Sequence, residues 1–387
     1  MKSKFIESLS EISSVDFNQI IDEKDKPFMS YEYLYALEQS KSVHANNGWQ
    51  SFHLTLTEKE NLSGFIPIYK KNNSHGEFVF DHQWSYALRR ANRDYYPKLL
   101  SAIPFTPCET RKFITSQSIN IESFTKPVID YMKKNDIETW HILFPDKKLA
   151  KTLIENNFIE RSGYRFVWNN KEYENFNDFL KIFTSRQRKN IKSERKKIHD
   201  SGISFSVKDN TNVTLDDWLV FYEFYKSTYH ERMQAPYLNF DFFNLVHKYK
   251  DALCPVIFFA ELEGNKIAGS LCFQSKDTLY GRHWGSSINI DSLHFECCYY
   301  QGIEYCIKNG ISFFDPGVQG EHKIRRGFEP RASNSYHYVL HEDFRAAIES
   351  FCKEEEISIK KYLAACSEYT PIKKEYRIGR ASCRERV

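Results

Sequence analysis

The sequence lacks any apolar stretch close to the ~20 residues that a membrane-spanning helix needs. Its first residues, MKSKFIESLSEISSVDF, contain no apolar segment of the kind that directs secretion. The nine cysteines form no C-x-x-C pair and no Cys/His set with zinc spacing, and the phosphate-binding pattern GxxxxGK(S/T) is missing. These absences predict a cytoplasmic protein with free thiols, no membrane span and no metal site.

Excess charge of either sign is also lacking, because 54 Lys and Arg stand against 51 Asp and Glu, for a net charge of +3. A surface that binds nucleic acid along its whole extent is therefore not required. Positive charge is concentrated in Ser185–Lys197, SRQRKNIKSERKK, which is predicted to be helical. The cations that share one face of this helix are Arg188, Lys192, Arg195 and Lys196. This face suits a polyanion such as tRNA, and the alternative is a solvated basic helix.

The length of 387 residues suits two domains of ~150–200 residues better than one. We predict a first domain at 1–170, a second at 171–377 and a non-native tail at 378–387. The tail, IGRASCRERV, matches a translated sequencing adapter and lacks apolar periodicity. The predicted elements of the second domain run helix, helix, three-stranded meander, helix and strand.

The stretch Leu293–Gly327 concentrates titratable and aromatic side chains. Phe295, Tyr299 and Ile303 recur at helical spacing and predict an apolar stripe on a helix. Ile311–Phe314 is a short apolar run that predicts a buried strand. A polar loop with three glycines follows, at the end of a strand where open α/β sheets usually bind ligands.

Three residues of the predicted helix are candidates for the site: His294, Glu296 and Tyr300. The helix dipole disfavours a charged His in the first turn, so His294 is biased to the neutral form, which can act as a general base. Glu296 lies in the same turn, and Tyr300 follows it at i+4. The alternatives are a buried, hydrogen-bonded His294 and a solvated face with a Glu304–Lys308 ion pair.

In the loop, Glu321 and His322 are candidates for the base that an attacking amine needs. Donors for an oxyanion or a phosphate are predicted beside them. These donors are Lys323, Arg325 and the backbone amides of Gly317 and Gly320. The alternative is a solvated loop that is rich in charges.

A further candidate is LYGRHWG, Leu279–Gly285, which is predicted to be a strand end. Strict alternation puts Arg282 and Trp284 on one side of the strand and His283 on the other. An Arg beside a Trp can bind a carboxylate or phosphate and stack on it. We therefore predict that Arg282 and Trp284 bind substrate or donor, with an edge-strand face as the alternative.

The first half offers a weaker signal in GEFVFDHQW and YYPKL. The polar and aromatic residues of these segments are Glu77, Asp81, His82, Trp84, Tyr95, Tyr96 and Lys98. Because an Asp next to a His is a weak catalytic signal alone, acceptor binding or a structural role is favoured here over catalysis.

Several segments resemble the FemAB-like, or peptidoglycan-biosynthesis-like, N-acyltransferases of bacteria. They are GEFVFDHQW, YYPKL, PFTP, RQRKNIKSERKKI, LYGRHWG and the stretch at 293–327. The likeness covers most of the chain. It implies an α/β (α+β) fold of two tandem GCN5-type acyltransferase-like modules, with mixed sheets flanked by helices. It also implies an enzyme that moves an acyl or aminoacyl group to an amine acceptor, possibly a cell-wall precursor. Acyl-CoA or aminoacyl-tRNA is then the cosubstrate, and no cofactor is bound permanently.

One departure from the acetyltransferase pattern matters. The sequence (Gln/Arg)-x-x-Gly-x-(Gly/Ala) is absent before the predicted helix, where Gly285–Ile290 stands instead, and this argues against ordinary acetyl-CoA use. The departure and the basic helix motivate an alternative: a non-catalytic module that binds a cell-wall precursor or nucleic acid. The sequence leaves open the acceptor, the identity of the base and the oligomeric state.

Overall fold

The computed structural model describes residues 1–115, 120–318 and 320–376. The predicted non-native tail, 378–387, lies outside these residues. Among the described residues, every helix is too short or too polar to cross a lipid bilayer.

The strands are, in chain order, β1 (Lys2–Ile6), β2 (Trp49–Ser51), β3 (His53–Glu58), β4 (Asn61–Ile66), β5 (Tyr69–Lys71), β6 (Lys98–Ser101), β7 (Ile114–Thr115), β8 (Thr139–Leu143), β9 (Ile159–Arg161), β10 (Tyr164–Asn169), β11 (Ser204–Lys208), β12 (Pro255–Leu262), β13 (Asn265–Gln274), β14 (Thr278–Ser286), β15 (Phe313–Asp315), β16 (Glu329–Ala332) and β17 (Ser335–Val339).

The α-helices are α1 (Ser14–Asn18), α2 (Tyr31–Gln39), α3 (His82–Arg90), α4 (Glu122–Asn135), α5 (Lys147–Glu155), α6 (Phe176–Leu180), α7 (Ser185–Asp200), α8 (Leu215–His230), α9 (Phe240–Lys248), α10 (Lys250–Leu253), α11 (Leu293–Phe295), α12 (Gln301–Lys308) and α13 (Glu342–Glu368). A π-helical turn, Glu296–Tyr300, joins α11 to α12 into one continuous rod.

The first half builds two sheets and the second half builds one. The first-half sheets have the strand orders β1-β3-β4-β7 and β2-β5-β6-β8-β17-β9, and the second-half sheet has the order β11-β12-β13-β14-β15-β10-β16. The pairs β6–β8 and β14–β15 are parallel, whereas their neighbours are antiparallel. Helices such as α8 and α13 pack against these mixed sheets.

Each half contributes one strand to the other half. β10, from the predicted first domain, pairs with β15 and β16 of the second-half sheet. β17, from the predicted second domain, pairs with β8 and β9 of the first-half sheet. The domain boundary between residues 170 and 171 stays a prediction. In the structure, each half completes a sheet of the other half with one strand.

A shared aromatic core also joins the halves. Phe28 packs edge-on against Phe273 with ring centroids 5.5 Å apart, and Tyr33 packs against Phe242 at 5.7 Å. All four residues belong to one buried cluster. Aromatic pairs in this arrangement contribute beyond their buried area, so this contact fixes the first half against the wall of the second-half site.

The predicted basic helix, Ser185–Lys197, follows a separate short helix in the structure. The short helix is α6 and the basic helix is α7, and they are separate because the chain bends after Leu180 and restarts at the cap Thr184. The Thr184 side chain accepts a hydrogen bond from the Gln187 backbone N–H at 3.5 Å, as an N-cap does. The basic helix therefore begins at Ser185 as a separate element.

Candidate active site

The site lies where two parallel strands separate. β14 pairs with β15 over Thr278–Tyr280 only, after which β15 ends at Asp315 and β14 continues to Ser286. Strands that part in this way leave backbone groups without a ladder partner, and such groups need other partners. A cavity of about 390 Å³ opens at this gap.

A β-bulge shapes the wall of this cavity. The pairing of β13 with β14 shifts between Leu271, which lies opposite His283, and Cys272, which lies opposite Gly281. Arg282 is the extra residue, and a bulge re-aims side chains locally. The predicted alternation is therefore wrong, because Arg282, His283 and Trp284 all line the cavity.

The cavity wall is aromatic and carries cations without an acid. Tyr225 and Tyr229 of α8, Phe105 of the first half and the π-turn residue Tyr299 contribute rings to it. Arg232 and Arg282 are its charged residues, and none of its described lining residues is Asp or Glu. Such a wall favours a ligand with an apolar part and an anionic group.

Beneath the cavity, one carboxylate is shared by two arginines. Asp315 Oδ2 lies 3.1 Å from Arg165 Nη1 and 3.4 Å from Arg282 Nη2. Burial raises the pKa of Asp315, but Arg282 and Arg165 outweigh burial and hold that pKa below its ordinary value. The Nε atoms of both arginines are buried without a hydrogen-bond partner in the described structure. Arg165 also pairs with Glu109 at 3.1 Å, so two carboxylates balance the two guanidinium groups beneath the cavity.

Lys323 holds the loop that follows β15. Its Nζ donates to the carbonyl oxygens of Pro316, Gly317 and Val318, at 3.4, 2.8 and 3.4 Å. Burial lowers the pKa of this lysine to about 8, against the opposing effect of Asp315. The Gly317 N–H donates to Asp315 Oδ1 at 2.9 Å. Two of the four predicted donors, Lys323 and the Gly317 amide, are therefore engaged within the loop, and contact of any of the four with a ligand stays a prediction.

His322 and His294 come together around Tyr299. The Tyr299 hydroxyl lies 2.8 Å from His322 Nε2, and the His294 ring packs 5.4 Å from the Tyr299 ring. Burial lowers the pKa of His294 to about 4, with a further contribution from His322. Burial also lowers the pKa of His322, helped by Lys323 and Arg326. Both imidazoles are therefore neutral at physiological pH, as predicted for His294.

A second space, a groove of about 870 Å³, lies on the other side of His322. Glu321, His322 and Arg325 line it together with Asn190 of α7. The Glu321 carboxylate accepts a hydrogen bond from the Tyr362 hydroxyl at 2.9 Å. The predicted loop residues thus border this groove, which we call the loop groove, rather than the cavity.

Glu296 and Tyr300 are buried and make polar contacts with α7, instead of lying on a solvated face. Arg195 Nη2 donates to Glu296 Oε1 at 2.9 Å, and Arg195 Nη1 donates to Glu304 Oε1 at 2.9 Å. The Tyr300 hydroxyl donates to Glu194. The alternative, a Glu304–Lys308 ion pair, is absent from the described structure, because Arg195 from α7 pairs with the Glu304 carboxylate. A catalytic role for Glu296 stays a prediction, and its observed partner is an anchor between helices.

The basic helix divides its residues between two surfaces. Gln187, Asn190 and Lys197 line the loop groove. Lys192 and Lys196 line a separate groove of about 360 Å³ on the opposite side of α7. Within the described residues, Arg188 and Lys192 form no ion pair, so their charges are available to a partner.

The first half brings its weak candidates together in what we call the closed cluster. Its members are Lys71, Glu77, Asp81, Tyr95, Lys98, His141 and His337, each between 0% and 4% exposed. Lys98 Nζ donates to Glu77 Oε2 at 2.7 Å and to Asp81. The Tyr95 hydroxyl donates to Asp81 Oδ2 at 2.6 Å and lies 3.2 Å from His141 Nε2.

Sequence reasoning missed three parts of these sites. Tyr299 was assigned to the apolar stripe, because an aromatic residue at helical spacing usually packs in the core. Asp315 and Arg165 were not singled out, since their pairing joins residues 150 positions apart. The only available signal for Asp315 was its place directly after a buried strand.

The fold and its cavity define a class of protein: a mixed α/β chain of two acyltransferase-like modules, with the site at separated strands of the second. The predicted fold class is thereby confirmed. The chain belongs to the FemAB-like family, described as peptidoglycan biosynthesis/recognition, whose model matches residues 8–374. No curated protein matches the chain in sequence.

Solved structures share the fold at low sequence identity. FemX is 11% identical and aligns over 90% of this chain and 100% of its own, with a TM-score of 0.53. The C-terminal domain (DUF2156) of a putative lysylphosphatidylglycerol synthetase from Agrobacterium fabrum is 8% identical, over 87% and 96%, with a TM-score of 0.52. A conserved protein of unknown function from Bacteroides thetaiotaomicron is 10% identical, over 88% and 100%, with a TM-score of 0.53.

Proposed function

We propose that the protein is an N-acyltransferase that moves an acyl or aminoacyl group to an amine acceptor, with a cell-wall precursor as the acceptor class. The observation that carries this proposal is the cavity at the separated strands, which His294, Tyr299 and Arg282 line, with His322 hydrogen-bonded to Tyr299 from the loop groove. Neutral imidazoles can accept the proton of an attacking amine. The family description supports the acceptor class.

The reaction is a direct attack without a covalent enzyme intermediate. The amine nitrogen bonds to the acyl carbonyl carbon, and the bond to the leaving oxygen or sulfur breaks. Arg282 and Arg232 hold an anionic group of a substrate in the acid-free cavity. The two engaged donors, Lys323 and the Gly317 amide, order the loop that closes the cavity.

The donor is an aminoacyl-tRNA or an acyl-CoA, and we favour the tRNA. The free cations Arg188 and Lys192 lie on a helix that packs on the site, and seven cations occur within Ser185–Lys197 against one Glu. Two assays separate the donors: thiol release from acyl-CoA, and transfer of a labelled aminoacyl group from tRNA to peptidoglycan precursors. Transfer from tRNA alone is expected, and thiol release alone would reverse this choice.

The residues are tested with matched variants. His322→Ala should lower turnover by ~100-fold, because proton transfer contributes that much or more. Lys308→Ala, an exposed change on the same rod, should leave turnover unchanged. Equal activity of both variants would remove His322 from the reaction.

A second candidate is a non-catalytic module that binds a cell-wall precursor or nucleic acid. It is favoured by the internal engagement of Lys323 and the Gly317 amide, which leaves fewer donors for an oxyanion. Binding of a precursor without transfer from any donor of the panel would select this alternative.

A further inference from the structure

Tyr299 stands in the wall between the two spaces of the second module. Its side chain lines the cavity and is 5% exposed. Its hydroxyl meets His322 Nε2 at 2.8 Å, and the His322 ring lines the loop groove. One hydrogen bond therefore connects a group at the cavity with a group that is open to the groove.

Both partners of this hydrogen bond are neutral, so its direction is set by the tautomer of His322. Burial raises the pKa of Tyr299 well above its ordinary value, so the phenol keeps its proton. Burial, Lys323 and Arg326 lower the pKa of His322, so the ring is neutral. In the Nδ1–H tautomer of the neutral ring, the phenol donates and His322 Nε2 accepts, and the relay argued below requires this tautomer.

The fold holds this pair in place from several sides. Tyr299 belongs to the π-helical turn Glu296–Tyr300, a feature that is frequent at functional sites. Arg326 Nη1 donates to the His322 carbonyl oxygen at 2.9 Å. Gly320 has φ +99°, and a Cβ there would lie 2.4 Å from His322 Cε1. Only a glycine leaves room for the ring in this position.

The two carboxylates of the loop groove, Glu194 and Glu321, are held by Arg326 and by Tyr362, at 2.9 Å each. His294 and Cys298 border Tyr299 on its own rod, and Lys323 and Arg326 border His322 on the loop. A proton accepted by His322 is therefore not trapped by a carboxylate bonded to the ring, and it can leave through the groove.

We propose that Tyr299 contacts the attacking amine and passes a proton to His322, so that the Tyr299–His322 pair is a proton relay from the cavity to the loop groove. This inference rests on the proposed function. As the carbon–nitrogen bond forms, the amine proton moves to the Tyr299 oxygen and the Tyr299 proton moves to His322 Nε2. The bond to the leaving oxygen or sulfur breaks, and the imidazolium returns one proton through solvent to that group. Tyr299 is then the catalytic residue, and His322 acts through it.

The first test does not depend on activity. Nitrogen NMR of histidine-labelled protein should show His322 with its proton on Nδ1. Tyr299→Phe should raise the pKa of His322 by about one pH unit, since one hydrogen bond to the neutral ring is lost. Tyr305→Phe is the matched control, because it removes a 2.8 Å hydrogen bond to Gln274 from the same rod. A proton on Nε2, or equal His322 titration in wild type and Tyr299→Phe, would overturn the relay.

The second test uses the pH dependence of turnover. Tyr299→Phe should lower kcat by ~100-fold or more and remove the acidic limb that reports His322 protonation. Tyr305→Phe should keep both the rate and the limb. A Tyr299→Phe enzyme with the wild-type profile would overturn the catalytic role. If the wild-type protein transfers nothing from any donor, the proposed function fails, and the titration of His322 still decides whether the proton pair exists.

Discussion

The closed cluster of the first half and the site of the second half use the same side-chain types in opposite ways. In the closed cluster, Lys98 donates to Glu77 and Asp81, and the Tyr95 hydroxyl lies between Asp81 and His141. One oxygen each of Glu77 and Asp81 has no hydrogen-bond partner in the described structure. In the second half, Tyr299 and Arg282 line the cavity and His322 lines the loop groove, and no Asp or Glu is among the described residues that line the cavity. Buried polar groups that satisfy one another stabilise a fold, whereas groups left facing a cavity are available to a ligand.

This difference suggests that the two modules, although similar in fold, have different roles. The closed cluster lies under Trp84, whose ring contacts His141 and His337 at 6.0 and 4.8 Å. Tyr299 is buried as well, but its hydrogen-bond partner His322 is exposed. We infer that the first module supports the shared core and the second carries the chemistry. Four experiments can break or sharpen this comparison.

The largest effect is expected from removing the central cation of the closed cluster. Lys98→Met leaves two buried carboxylates without their main partner, and breaking a buried ion pair in this way costs about 3–5 kcal/mol. The free energy of unfolding, measured with urea and circular dichroism, should fall by that amount. Lys197→Met, which breaks the exposed 2.8 Å pair with Asp291, is the control and should change it far less. Equal losses in both variants would show that the cluster is not a structural centre.

The next effect concerns the open site and uses two glycines with positive φ. Gly320→Ala places a Cβ 2.4 Å from the His322 ring and should displace it, lowering turnover by ~100-fold. Gly310→Ala is the matched control, since Gly310 has φ +65° but nothing within 4 Å of an added Cβ. Gly320→Ala also strains the backbone more than Gly310→Ala, because φ +99° with ψ +90° lies outside the left-handed helical region. If they lose activity equally, the ring position is irrelevant.

A smaller effect is expected from the buried histidines of the closed cluster. Burial lowers the pKa of His141 and of His337 well below 6.5, so the folded state binds fewer protons than the unfolded state at acidic pH. Their contribution to stability is present above the unfolded pKa and is lost as pH falls below it. Stability should fall by about 1.4 kcal/mol per pH unit for each histidine between roughly pH 6 and pH 5.

This pH dependence is checked by urea unfolding at a series of pH values. His141→Gln should reduce the slope of unfolding free energy against pH by the contribution of one histidine. His199→Gln, at an exposed position, should leave this slope unchanged. An unaltered slope in His141→Gln would mean that the ring is protonated in the folded state. The surroundings of His141 in the closed cluster would then stabilise a charged ring despite its burial.

Sequence patterns predicted the local elements of the second module better than its contacts. Apolar periodicity located the rod that begins at Leu293, and the glycines located the loop around His322. The strand exchange of β10 and β17 was not predictable, because pairing partners lie more than 100 residues apart. The bulge at Arg282 was hidden for a similar reason, since it depends on the register with β13. Local patterns report periodicity, whereas the site depends on register and on long-range charge pairing.

The smallest effect on the fold, and the last prediction, concerns the basic helix. Arg188→Glu with Lys192→Glu should weaken the binding of tRNA and reduce the slope of log affinity against log salt by about one for each lost phosphate contact. Stability should stay unchanged, because neither cation forms an ion pair in the described structure. Lys353→Glu with Lys361→Glu is the control, since it makes the same change in net charge on exposed positions of α13. If both double variants weaken binding equally, tRNA responds to net charge alone. A selective loss in the α7 variant would place the polyanion on the helix that Arg195 anchors to the rod, and so on the open half of the molecule.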